Sequence, residues 1–156
     1  MARIRTVKPE FWTSEQIVEC SIESRLLFIG MWNFVDDGGV MPLSLKSIKM
    51  KIFPGDDFNL DAIRRMIVEL SSNFLLTTYE VDEVSYIKVR GWKHQKIDRP
   101  NFKFPQPCGE IPASKEAYLA KYSPNDRRTL DERSPPEGKG EEGKGEEGSN
   151  PPTPQK

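Results

Sequence analysis

Residues 59–103 read NLDAIRRMIVELSSN (59–73), FLLTTYEVDEVSYIKVR (74–90) and GWKHQKIDRPNFK (91–103). In the first piece Ile63, Met66, Ile67 and Leu70 recur at i, i+3, i+4 and i+7, one apolar stripe of an amphipathic helix. Asn59 is a favourable N-cap, Asp61 complements the positive end of the helix dipole, and Asn73 is placed to close the helix in a left-handed C′ position. The second piece alternates with period two. Phe74, Leu76 and Thr78 share one face of a strand, and Tyr86, Lys88 and Arg90 one face of its return. The turn between them, Val81-Asp82-Glu83-Val84, lacks the glycine of the tightest hairpins. The third piece is cationic and carries an aromatic. Helix, hairpin and basic extension are the carboxy-terminal half of a winged helix-turn-helix, an arrangement that points to nucleic acid.

Working back from this stretch, Pro54-Gly55-Asp56-Asp57 breaks a short helix, LKSIKMKIF (45–53), that Ser44 caps and whose Leu45, Ile48 and Ile52 point inward. Before it, Val40-Met41-Pro42-Leu43 is a short extended piece, and Pro42 confines it to a sheet edge. Asp36-Asp37-Gly38-Gly39 is a turn. The helix SIESRLLFIGMWNFVDD (21–37), capped by Ser21, is the most apolar and forms the spine of the core, with Leu27, Met31, Phe34 and Val35 in one stripe and Phe28 and Trp32 beside it. Gly30 in its middle costs about 1 kcal/mol relative to Ala, which implies close approach of another element. Thr13-Ser-Glu-Gln16 has the form of a capping box starting a shorter helix. The first twelve residues form an arm whose Phe11 and Trp12 pack on the domain and whose Arg3 and Arg5 can touch phosphates.

The expected fold is therefore α+β: three main helices and a small antiparallel β-wing, with the short strand able to join the hairpin as a third. Residues 1–105 hold all three Trp and all eight Phe, enough for one modest core. Residues 106–123 are expected to be an extension with a short helix in SKEAYLAKYS (114–123). Residues 124–156 are rich in Pro, Gly, Glu and Lys and repeat Gly-Lys-Gly-Glu-Glu, the composition of a disordered tail.

Net charge is −1, but residues 86–103 carry six cations against Asp98 alone. The candidate DNA contacts are Arg64 and Arg65 on the helix, Lys46 and Lys49 on the helix before it, and Lys88, Arg90, Lys93, His94, Lys96 and Arg99 on the wing and extension. Arg3 and Arg5 complete the set. Arg64 and Arg65 fit base reading or a solvated face equally well; Trp92 fits core packing better than contact. The Asp36/Asp37 and Asp56/Asp57 pairs adjoin glycine, where turn geometry explains them.

Other classes of function find no motif here. Two cysteines without a CxxC spacing and one histidine exclude a tetrahedral zinc site. There is no phosphate-binding, nucleophile-elbow, metalloprotease or dinucleotide signature, so neither an enzyme nor a cofactor is expected. The sequence offers no apolar run of about 18 residues for a membrane span and no secretory leader, so a cytoplasmic protein is expected.

The words ARIRTVKPEFWTSEQIVECS (2–21), RLLFIGMWNFVDDGG (25–39), FPGDDF (53–58) and GWKHQKIDRPNFKFP (91–105) resemble a group of phage and prophage replication-initiation, or replisome-organiser, proteins. The resemblance covers about the first 105 residues. It implies a winged-helix domain that binds double-stranded origin DNA in a bacterial host cell, with Arg64 and Arg65 on the reading helix and residues 90–99 at the wing edge. It also implies the replicative helicase or its loader as a further partner, reached in that group through a separate carboxy-terminal region; in the tail of this sequence no second folded domain is expected. A phage transcription regulator would use the same domain, and a protein-interaction adaptor could be built on it.

Overall fold

Ser21, Ser44 and Asn59 each start a helix, as their side chains predict. Their oxygens accept from the backbone N–H groups of Ser24, Ser47 and Ala62. The computed structural model describes residues 2–92 and 95–121. The tail expected from Pro124, and the candidates Lys93 and His94, lie outside them.

A 3-10 helix, Pro9–Thr13, leads into α1 (Glu15–Val18), α2 (Ile22–Trp32), β1 (Val40–Pro42), α3 (Leu45–Ile52), α4 (Leu60–Ser72), β2 (Leu76–Val81) and β3 (Val84–Val89). A further helical stretch, α5, covers 115–121. The described chain is α+β, with a three-stranded antiparallel sheet in the order β1-β3-β2. Met41 pairs with Ile87, which on its other side pairs with Thr78. Pro42 sits on the edge strand, where its missing N–H costs no ladder bond.

The core joins α2, α3, α4 and one face of the sheet through Leu27, Met31, Ile48, Ile63, Leu70 and Ile87, each essentially fully buried. A Cβ built on Gly30 would lie 2.8 Å from Cγ2 of Ile52, the close approach that the glycine implied.

Several local expectations are corrected. The cap of α1 is Ser14 rather than Thr13, whose hydroxyl turns back to Glu10 O. Trp12 is 60% exposed, so only Phe11 of that pair is packed in, against Phe28 and Trp32. Asn73 keeps a right-handed conformation, and Phe74 takes the left-handed position after α4 (φ 58°). Leu75 N donates to Leu70 O and Phe74 N to Ser71 O, the paired bonds of a Schellman ending, so β2 begins only at Leu76. At the hairpin tip Asp82 and Glu83 both have positive φ (49° and 64°), so a two-residue mirror-image turn forms without glycine.

Residues 95–121, which include the helix expected within 114–123, fold back over the second face of the sheet. Tyr79 stacks on Tyr86, and Phe104 lies against Tyr86. Tyr79 donates its hydroxyl to Pro105 O, Gln106 is fully buried, and Tyr118 stacks on Phe102. The folded unit thus runs past residue 105 to at least 121. Helices, sheet and this strap make three layers.

Candidate nucleic-acid interface

The outward face of α4 follows from its buried stripe. With Ile63, Met66, Ile67 and Leu70 turned inward, Asp61, Arg64, Arg65, Val68 and Ser72 are left facing solvent. Arg64 pairs with Asp61 at 2.9 Å, but both side chains are exposed, 63% and 75%. A pair so placed is worth about 0–1 kcal/mol and yields readily to a stronger anion. Arg65 is exposed as well. Glu69 does not dilute this face. It accepts from Ser21 N (2.7 Å), Ser21 Oγ and Ser24 Oγ at the start of α2. The Ser24 hydroxyl leads the bonds that hold its carboxyl below the usual range.

Beside this face lies a groove of about 670 Å³, bounded by Leu43, Leu45, Arg64, Val68, Ser72 and Thr78. It runs between α4, the start of α3 and the face of β2. One rim is cationic, the floor is apolar, and hydroxyls stand on both sides. On α3, Lys46 is exposed and Lys49 is half-buried with its ammonium 3.5 Å from Phe53 O. The hairpin itself is acidic where it is exposed, at Glu80, Asp82 and Glu83. Such a tip repels a phosphate backbone.

Two candidates are removed from any contact surface. The Arg5 side chain is 4% exposed, donates to Trp32 O, Val35 O and Asp37 Oδ1, and lies 4.9 Å over the Trp92 ring. Lys88 is central in β3 and buried, its ammonium 5.9 Å from the Tyr118 ring. The alternation that groups Lys88 with Tyr86 on one face of β3 holds, but the strap covers that face, so Lys88 is not the contact residue expected. Arg90 follows β3, half-buried over the Phe74 ring at 5.9 Å. Lys96 and Arg99 are exposed on the strap. Arg3 is partly exposed and paired with Asp37 at 3.0 Å. The candidates therefore fall into separate groups: Arg64 and Arg65 on α4, Lys46 and Lys49 on α3, Lys96 and Arg99 on the strap.

The Asp36-Asp37 turn does more than end α2. Asp36 Oδ1 accepts from Gly38 N and Val40 N, and Oδ2 from Lys103 N and Phe104 N. Burial pushes its carboxyl up, against the pull of those four N–H groups. Asp37 binds Arg3, Arg5 and Asn101 N through its carboxylate, and its carbonyl accepts from Trp92 Nε1. Gly39 has φ 77°, and a Cβ there would meet Trp92 Cγ at 2.7 Å. This turn clasps the arm, β3's extension and the strap. Its signal was present in the sequence as two adjacent acids before two glycines, but the partners on the arm and β3's extension lie more than thirty residues away and those on the strap more than sixty.

Among the described residues no helix is long and apolar enough to cross a membrane, and no group of three or more metal-ligating side chains comes together. Comparison with protein-family models, with curated proteins and with solved structures returns no match.

Proposed function

We propose that this protein binds double-stranded DNA as a winged helix, with α3 and α4 as the helix-turn-helix and α4 in the major groove. The observation that carries the reading is the outward face of α4, where Arg64 and Arg65 stand free of the core on a rigid helix. Element order and the sheet order β1-β3-β2 agree with that fold. Arg64 exchanges Asp61 for a phosphate or a guanine edge at little cost, and Arg65 lies one position further round the same face. Val68 and Ser72 extend it with small side chains suited to close approach. The acidic hairpin tip turns away from the backbone, so affinity comes from the helix face and α3 rather than from the wing. The resemblance to phage replication initiators makes origin DNA the proposed site, with the replicative helicase or its loader as a further partner.

The test is a salt titration of binding to duplex DNA, repeated with Arg64→Ala and Arg65→Ala. Phosphate contacts give a log–log slope of about −0.9 per contact. Loss of affinity on all sequences marks phosphate contact, and loss on one site marks base reading. No binding at low salt would sink the proposal.

A second reading, an interaction adaptor, is favoured by one observation. The outer face of α2 presents Ile22 and Leu26, which are 75% and 56% exposed. A partner protein would bury these, and such an adaptor would show no salt-dependent DNA binding.

A further inference from the structure

A small cleft of about 180 Å³ lies at the free edge of β1, away from the groove beside α4. Four separate parts of the chain converge on it. Arg3 comes from the arm, Phe34 from the turn after α2, Lys51 from α3, and Asn101, Lys103 and Phe104 from the strap. Its floor is the clasp, and the charge there is already accounted for. Asp36 spends its carboxylate on four backbone N–H groups, none of them cationic. Asp37 is shared by Arg3 and Arg5. Lys51 and Lys103 have no carboxylate partner among the described residues. The Lys51 ammonium instead lies 5.4 Å from the Phe34 ring. Three cations, Arg3, Lys51 and Lys103, thus line a cleft over two saturated carboxylates, inside a concave wall with low-dielectric aromatic sides that focuses the field.

We propose that this cleft is a phosphate-binding site, with Lys51 and Lys103 as the charge-bearing residues and Arg3 and Asn101 as supporting donors. Lysines act as point charges that accept an oxygen from any direction, and a phosphate offers several oxygens to cations approaching from different elements. A carboxylate, with two oxygens in one plane, meets fewer of them. Lys51 needs to break no ion pair to bind, only to leave the Phe34 ring. The phosphate can come from a free anion or nucleotide, or from the backbone of a nucleic acid. The site stands independently of the role given to α4.

Titration of the full chain with inorganic phosphate at constant ionic strength, read by amide chemical shifts, tests this directly. The expected result is saturable shifts at Phe34, Lys51, Asn101 and Lys103 that vanish in Lys51→Gln/Lys103→Gln, two substitutions at exposed side chains. Equal shifts with acetate, or none with phosphate, overturn the proposal. A second arm measures duplex DNA binding against salt. If the source is a nucleic acid, the double variant lowers the slope by about 1 per lysine. An unchanged slope with positive phosphate shifts assigns the cleft to a free anion. If the wild type fails to bind duplex at all, the reading of α4 fails and the phosphate arm alone decides the cleft.

Discussion

Asp36→Asn removes one charge and one acceptor while keeping the shape of the side chain. Its two oxygens now accept Gly38 N and Val40 N on one side and Lys103 N and Phe104 N on the other, at 2.9–3.0 Å. An amide has one oxygen and one NH₂, so either orientation turns a donor towards two N–H groups. Two charge-assisted bonds are lost, at about 1.5–3 kcal/mol each. Relief from burying a charge offsets part of this, leaving a net loss of about 2–4 kcal/mol. The damage should be uneven. Gly38 and Val40 are local to the turn, whereas Lys103 and Phe104 are remote, so the amide oxygen keeps the turn and the strap comes loose. Urea unfolding should show the drop in midpoint. Trypsin should cut after Lys96 or Lys103 faster than in the wild type, before the rest of the domain is digested; Arg99 is protected in both by Pro100. A variant within about 0.5 kcal/mol of wild type, with trypsin sites equally protected, would refute the clasp.

Arg5→Ala should cost about 3–5 kcal/mol, because it leaves Asp37 buried with one cation fewer, while Arg65→Ala stays within about 0.5 kcal/mol; thermal melts compare them. Gly30→Ala gains about 1 kcal/mol of helix propensity but forces a methyl against Ile52, at about 1–3 kcal/mol, so it should destabilise. Ile52→Leu, which removes the Cγ2 branch, should relieve that effect in a double-mutant cycle. The carboxyl of Glu69 is lowered in the folded state, so its contribution to stability is present above its unfolded value of about 4.3 and lost as pH falls through the folded value. The stability difference between wild type and Glu69→Gln should therefore shrink on acidification through that window; a constant difference would place the interaction elsewhere.

The sequence alone determined the elements whose causes are local. The caps at Ser21, Ser44 and Asn59, the stripe from Ile63 to Leu70 and the placement of Pro42 on an edge each depend on residues within a few positions, and all of these agree with the structure. Gly30 announced a close approach without naming Ile52 as the neighbour. Tertiary structure decided which polar residues are available for contact. Lys88 alternates like an exposed strand residue, yet residues 95–121 cover it. Arg5 reads as part of a basic arm, yet it is sealed beneath Trp92 and paired with Asp37. Charge and periodicity describe a side chain and its own element. Burial depends on what another part of the chain lays over it, and here the strap is fixed by two aspartates whose partners on it lie more than sixty positions away.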